Sequence, residues 1–103
     1  MSFIMVYTTH SSEGEANRIS QHLLDKKLIA CANIFPMSSA YWWQNTIQNE
    51  AEWVAIVKTS SEKWAIVKSE IERIHPYETP CIIKITVEAN EKYERWIRGE
   101  LTD

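Results

Sequence analysis

The chain has 103 residues, of which 45% are hydrophobic and 24% are charged, and its formal net charge is −3. These values are typical of one soluble globular domain, predicted over residues 1–103, and the acidic balance without any basic run argues against nucleic-acid binding. No apolar stretch approaches the ~20 residues that span a bilayer, and the first residues lack a signal peptide's basic segment. We therefore expect no membrane partner and a cytoplasmic location.

The N-terminal third predicts a strand followed by a helix. Residues 3–9 are apolar and partly β-branched, as in a buried strand. The segment Ser12-Glu13-Gly14-Glu15 fits a capping box, in which a serine hydroxyl accepts from the backbone three residues on. Apolar residues then recur at helical spacing, and the helix is predicted to end near Leu28.

The middle of the chain predicts a long hairpin with unusual aromatic content. Residues 30–48 and 52–60 favour strands, and Asn49-Glu50 is the expected turn between them. Arms of this length span about 40–50 Å, whereas the first helix covers only about 22 Å, so the hairpin must overhang its own domain. The overhang carries exposed aromatics that another copy of the chain would cover most simply: Tyr41, Trp42, Trp43 and Trp53. A bent hairpin that folds back on its own domain is the alternative.

The last part of the chain completes an α+β fold. Thr59-Ser60-Ser61-Glu62 fits a second capping box with Thr59 as the cap, residues 81–87 read as a fourth strand, and Asn90 is expected to cap a short final helix. The resulting order, βαββαβ with a C-terminal helix, is the ferredoxin-like arrangement with one antiparallel sheet. In this topology the strand order is 4-1-3-2.

The segment His75-Pro76-Tyr77-Glu78-Thr79-Pro80 places polar side chains on a stiff turn between regular elements. The topology brings this turn, Cys81 and the end of the first strand to one edge of the molecule. Imidazole, carboxylate and thiolate groups there could bind copper or zinc, with His75, His10, Glu78 and Cys81 as candidate ligands. Alternatively, His75 caps a helix C-terminus and Cys81 is a small core residue.

The remaining polar residues do not predict catalysis. Cys31 lies at the opposite end of the predicted sheet from Cys81, which excludes a disulfide between them. The sequence contains no nucleophile elbow, no phosphate-binding glycine loop and no H-E-x-x-H motif. Lys58-Thr59 could bind an anion at a helix N-terminus. Because no complete nucleophile–base or acid–base pair can be assembled, we do not expect an enzyme.

Several ordered motifs together resemble the CutA family of divalent-cation tolerance proteins. They are Ala30-Cys31-Ala32-Asn33-Ile34-Phe35-Pro36, Ser39-Ala40-Tyr41-Trp42-Trp43, Lys58-Thr59, the turn at 75–80, and Tyr93 with Trp96-Ile97. The resemblance implies a homotrimer held by the long hairpin. It also implies a likeness to the PII signalling proteins, whose inter-subunit clefts bind small molecules; Lys58, Tyr77 and Glu78 would line such a cleft here.

The sequence departs from the family pattern where copper binding is concerned. Copper-binding members tend to have a cysteine near the end of the first strand and a doubled histidine before the Pro-Tyr pair. Thr8 and Ile74 stand at these positions, and Asn45 or a neighbour replaces a glycine after the aromatic cluster. The resemblance therefore implies no obligatory cofactor and weak binding of Cu(II) or another divalent cation. A metal-responsive trimer, a PII-like ligand-binding module and a purely structural scaffold all remain open.

Overall fold

One antiparallel sheet forms the centre of the molecule, and the computed structural model describes residues 3–102. The strands are β1 (Phe3–His10), β2 (Cys31–Trp43), β3 (Thr46–Ser60) and β4 (Ile82–Val87). The helices are α1 (Glu13–Asp25), α2 (Trp64–Ile74) and α3 (Glu91–Leu101). The strand order β2-β3-β1-β4 confirms the predicted ferredoxin-like topology. Of the domain predicted over residues 1–103, Met1, Ser2 and Asp103 lie outside the described residues.

The first helix begins as predicted and ends earlier. The Ser12 hydroxyl accepts a hydrogen bond from the Glu15 backbone N–H at 3.1 Å, which confirms Ser12 as the N-cap, while the Glu15 carboxylate accepts from Arg18 instead of completing the capping box. The helix stops at Asp25 rather than near Leu28, because Lys27 takes a left-handed conformation with φ 59° that ends the helical run.

The hairpin turn lies five residues earlier than the predicted Asn49-Glu50. Trp43 pairs with Thr46, so the turn residues are Gln44 and Asn45, with φ values of 49° and 66°. Two successive left-handed residues match the twist of the flanking strands, which is why two-residue hairpins select them. Asn49 and Glu50 instead lie within β3.

The second capping box is not formed. A short 3₁₀ turn, Ser61–Lys63, precedes α2, and neither element has a side-chain cap bond at its start. The Thr59 hydroxyl donates to the Leu28 carbonyl at 2.7 Å, so it fastens the connection between α1 and β2. Asn90 does occupy the N-cap position of α3, again without a side-chain cap bond.

The two faces of the sheet are covered differently. Ile4 and Val6 of β1 face α1 and α2 and belong to the main core, whose other members include Ile19, Leu23, Val57, Val67 and Ile71. On the opposite face α3 covers one end only, where Phe3 packs with Ile97 and Leu101. We call the rest of that face the open face; Phe35, Ile83 and Ile85 are exposed on it.

The hairpin overhangs the domain as its length predicts. β1 ends at His10, opposite Trp53, and the pairs from Met37–Glu52 to Trp43–Thr46 lie beyond that end. About half of β2 therefore pairs with residues of β3 that have no partner in β1. The overhang contributes to the 45 × 24 × 21 Å extents of the molecule.

Candidate functional site

The turn at 75–80 lies where the sequence predicts, between α2 and β4 and beside the end of β1. His75 is the C-cap residue of α2, and its backbone N–H donates to the Ile71 carbonyl at 2.8 Å. Its ψ of 133° is the extended conformation imposed by the following Pro76. The helix therefore stops here and the next residues turn back across the sheet edge.

Both ring nitrogens of His75 are used within the chain. Nδ1 accepts from the Tyr77 backbone N–H at 3.1 Å, so the ring proton is on Nε2, which lies 2.8 Å from the Thr9 carbonyl and donates to it. This neutral tautomer ties the turn to β1. The ring neither acts as an imidazolium at the helix end nor offers a free lone pair to a metal.

His10 lies directly behind this ring. The two imidazoles stack with centroids 5.0 Å apart, and His10 is 1% exposed. The Thr8 hydroxyl donates to the Ala55 carbonyl at 3.2 Å and accepts from His10 Nε2 at 2.7 Å, which leaves the buried His10 Nδ1 without a partner among the described residues. Burial, reinforced by the neighbouring His75, lowers the pKa of His10 to about 4.

Tyr77 makes a contact that the sequence did not predict. Its hydroxyl donates to Glu52 Oε2 at 2.9 Å, and the Glu52 side chain comes from the overhanging part of β3. Burial, followed by the hydrogen bond to Glu52, raises the pKa of Tyr77, so the phenol stays protonated and serves as a donor. The pair joins the turn to the hairpin.

A groove of about 980 Å³ lies on the open face between the hairpin and the turn. Tyr77, Glu78, Thr79 and Cys81 line one side of it. The hairpin contributes the other side, with residues that include Met37, Tyr41, Trp42, Trp43, Glu50 and Glu52. No lysine, arginine or histidine is among the described residues that line it, so its polar wall is acidic. We call it the acidic groove.

The four predicted metal ligands do not form one cluster. Glu78 and Cys81 line the acidic groove, while His75 and His10 are buried behind the turn and do not line it. Burial, with a smaller effect of Glu52, raises the pKa of the Cys81 thiol, which disfavours the thiolate that a metal needs. Within residues 3–102, no group of three or more His, Cys, Asp or Glu side chains is arranged to hold a metal ion.

Lys58 does not join Tyr77 and Glu78 within one chain. It pairs with Met5 and Cys31, six residues along β3 from Glu52, and its ammonium donates to the Tyr93 hydroxyl at 3.2 Å. Six residues of strand separate the two places by about 20 Å. Both cysteines are free, and Cys31 lies near Tyr93 at the end of the sheet opposite the turn, as predicted.

The hairpin aromatics fall into two groups. Tyr41, Trp42 and Trp43 are exposed close to the turn of the hairpin, with Trp42 at 70%. Trp53 is half-buried at the base of the overhang, opposite His10. Of these four aromatics, only the first three therefore leave large aromatic surface uncovered, and Phe35 of β2 adds to it on the open face.

The fold and groove together define a class: a ferredoxin-like subunit with an overhanging hairpin and an acidic, aromatic groove at the hairpin's base. Comparison with known proteins identifies the family within that class. The family model for the CutA1 divalent ion tolerance protein matches residues 4–100. The chain belongs to the CutA family.

Named relatives agree along almost the whole chain. The divalent-cation tolerance protein CutA of Archaeoglobus fulgidus is 47% identical over 93 residues, which cover 89% of this chain and 91% of the relative. The Thermotoga maritima CutA protein is 44% identical and covers 92% of this chain and 95% of its own. Among solved structures, a point mutant of CutA1 from Pyrococcus horikoshii superposes with a TM-score of 0.94 at 39% identity, covering 97% of this chain and 99% of that chain. A CutA structure from Archaeoglobus fulgidus, described as periplasmic, has a TM-score of 0.93 at 42% identity and covers 97% and 99%.

Proposed function

We propose that this chain acts as a non-enzymatic divalent-cation tolerance protein that binds a divalent cation, such as Cu(II), weakly and reversibly. The observation that carries the proposal is the acidic groove, where Glu50, Glu52 and Glu78 face a common space without a basic side chain among the described lining residues. Such a surface attracts cations. The names of the relatives supply the divalent cation.

The ligand chemistry favours weak binding. The imidazole of His75 is engaged by Thr9 and Tyr77, and Thr8, where copper-binding relatives tend to have cysteine, is bonded to His10 and Ala55. The groups that remain for a divalent ion in the groove include the exposed Glu78 carboxylate and the Cys81 thiol, whose raised pKa disfavours the thiolate. His75 or His10 would become a ligand only if the turn opened.

Calorimetric titration of Cu²⁺ into the wild-type protein and two variants tests this assignment. We expect Glu78→Gln to weaken binding about tenfold and His75→Ala to change it little. Glu72→Gln is the matched control, because Glu72 is exposed on α2 and lies outside the groove. Identical isotherms for the wild type and Glu78→Gln would rule out a metal at the groove.

We further propose that the working unit is a homotrimer. The support is the open face, where Phe35, Ile83 and Ile85 are exposed beside the hairpin aromatics Tyr41, Trp42 and Trp43. An apolar surface of this kind marks an interface, and a second copy of the chain is its simplest cover. The number three comes from the likeness to the CutA family. We also propose a cytoplasmic location, which is in keeping with two free cysteines. Among the described residues, no helix is long and apolar enough to cross a membrane.

A PII-like module that binds a small molecule between subunits is the second candidate. The observation that favours it is the size of the acidic groove, about 980 Å³, which is more than a single hydrated ion requires. The groove opens on the face that an assembly would cover, so neighbouring copies would turn it into a cleft.

A further inference from the structure

Glu52 is a buried carboxylate without a cationic partner. The residue is 5% exposed, and the only hydrogen bond of its carboxylate among the described residues is the one that Oε2 accepts from Tyr77. The second oxygen, Oε1, has no such partner, and Glu52 lines the acidic groove. The remaining exposure of this carboxylate is therefore to the space of the groove.

An ionised carboxylate held this deeply normally has a positive partner. Removal from water is costly unless a cation or several donors compensate it, and one neutral phenol compensates only in part. No ion pair of Glu52 occurs among the described residues. The geometry leaves a place for a positive charge beside Glu52 Oε1.

The spacing of the acids argues against one metal ion bound by all three carboxylates at once, although a weakly held ion at Glu78 remains compatible with it. Glu50 and Glu52 lie on the same face of β3 two residues apart, which separates their Cα atoms by about 7 Å. Glu78 reaches the groove from the opposite side. These carboxylates do not form a group that could hold one metal ion in the described chain. Separate positive charges would neutralise them better.

The walls between the acids are apolar and aromatic. Met37 pairs with Glu52 across the hairpin, and Tyr41 and Trp43 lie on the same face of β2 two and three rungs further out. Aromatic faces attract alkylammonium groups, and Met37 offers a flexible apolar contact for a methylene stem. The groove thus alternates negative groups with surfaces suited to a hydrocarbon chain.

We propose that the acidic groove binds a linear organic amine with at least two ammonium groups joined by a methylene stem. One ammonium pairs with Glu52 Oε1, the other pairs with Glu50 or Glu78, and the stem lies against Met37 and Tyr41. This inference rests on the second proposed function, ligand binding in the groove, and gives it a ligand class. An anionic ligand such as a nucleotide would meet three carboxylates here and is disfavoured.

Calorimetric titration of putrescine into the full-length wild-type protein at low ionic strength tests the proposal. Butylamine has one ammonium group on a stem of the same length, and the corresponding diol has none. We expect putrescine to bind about tenfold tighter than butylamine and the diol to give no heat. Glu52→Gln should weaken putrescine about tenfold, since its amide oxygen still accepts from Tyr77 but its charge is lost.

The exposed Glu72→Gln variant serves as the control and should bind putrescine like the wild type. Thermal unfolding of each variant checks that the fold is intact. Equal binding of the diol and putrescine, or unchanged binding to Glu52→Gln, would overturn the proposal.

Two other results would separate this inference from the functions on which it rests. If putrescine does not bind and Glu52→Gln instead changes the sedimentation of the assembly, the cationic partner of Glu52 is a side chain of another copy. If a nucleotide binds and Tyr77→Phe weakens it, the groove is a ligand site and the amine assignment alone is wrong. The copper titration of Glu78→Gln is read independently of both.

Discussion

The two faces of the sheet differ in how completely this chain buries them. On the helix-covered face, Val6, Leu23, Val67 and Ile71 are fully buried against one another. On the open face, beyond α3, Ile83 is 50% exposed and the carboxylate of Glu52 lies at the edge of a groove. The first face is explained by ordinary core packing. The second leaves apolar and charged surface that the described part of the chain does not cover.

The His10–His75 stack and the Tyr77–Glu52 pair lie on either side of this divide. The imidazoles are enclosed behind the turn, and all but one of their ring nitrogens are hydrogen-bonded within the chain. The phenol and carboxylate face the groove and leave one oxygen unpaired. The turn at 75–80 therefore has a structural inner side and an outer side that can act on a ligand.

The largest expected effect concerns the apolar part of the open face. Ile83→Ser should raise the dissociation constant of the proposed homotrimer about hundredfold, equivalent to ~2.7 kcal/mol, because a side chain proposed to lie between copies would become polar. Sedimentation velocity over a dilution series measures this change.

A matched substitution on the other side of the molecule provides the control. Ile66 on α2 is 52% exposed, close to the 50% of Ile83, but it lies outside the open face. Ile66→Ser should leave the sedimentation unchanged. If both variants dissociate alike, or neither does, exposure on the open face is not a sign of assembly.

The sequence predicted the topology well because each element has its own local signal. Hydrophobic periodicity, the Ser12 cap and the prolines of the turn determined the element order and brought the ends of β1 and α2 together. The register of the hairpin was not predictable in the same way. Its turn was assigned to Asn49-Glu50, and neither that pair nor Gln44-Asn45 contains the glycine that usually marks a two-residue hairpin turn.

Because of that error, Glu52 was not predicted to lie near Tyr77. A turn at 49–50 would pair Glu52 with Ile47 near the hairpin's end, far from Tyr77; the observed register pairs it with Met37 at the base of the overhang. Register decides which side chains share a face, so the misplaced turn did not predict the acidic wall of the groove. The sequence offered one signal for the true turn: Asn45 or a neighbour stands where the family pattern has a glycine after the aromatic cluster.

The predicted metal site failed to assemble for a different reason. The predicted topology correctly placed His75, His10 and Cys81 at one end of the sheet. It does not show which of their lone pairs are already used in hydrogen bonds. The Thr9 carbonyl and the Tyr77 backbone N–H are hydrogen-bonded to the two ring nitrogens of His75. Hydrogen bonds of this kind depend on side-chain rotamers and on loop geometry, which the pattern of residues does not encode.

A smaller effect should appear on the enclosed side as acid sensitivity. His10 has a pKa of about 4 in the folded chain and an ordinary value near 6.5 when unfolded. The unfolded state therefore binds the proton more readily, and stability that is complete above pH 6.5 is lost as the pH falls toward 4. We expect a loss of about 2 kcal/mol in the free energy of unfolding across this window. Denaturant titrations at several pH values measure it.

The groups that face His10 make the assignment testable. His75 and Arg18 lower its pKa and Glu15 raises it, all less than burial does. His10→Gln should flatten the dependence of stability on pH between 4 and 6.5. His22→Gln is the control, since His22 lies between α1 and α2 with Glu70, away from the stack. An unchanged slope in His10→Gln would assign the acid sensitivity to other groups.

The smallest effect compares two tyrosines that lie near glutamates of β3. Tyr77 donates to the buried Glu52, whereas Tyr41 lies on the same face of the hairpin as the exposed Glu50. Tyr77→Phe should lower the free energy of unfolding by about 1 kcal/mol, because a buried carboxylate loses its only donor. Tyr41→Phe should cost almost nothing, since water replaces the phenol at an exposed acid. Equal losses, measured by denaturant unfolding at pH 7, would mean that Glu52 is as well hydrated as Glu50.

A double-mutant cycle decides what the Tyr77 contact stabilises. If the phenol acts chiefly by compensating the Glu52 charge, Tyr77→Phe should cost less in a Glu52→Gln background, and the difference is the coupling energy of the pair. Repeating the cycle with putrescine present adds a positive charge beside Glu52. The coupling should then shrink, because the carboxylate no longer depends on the phenol alone.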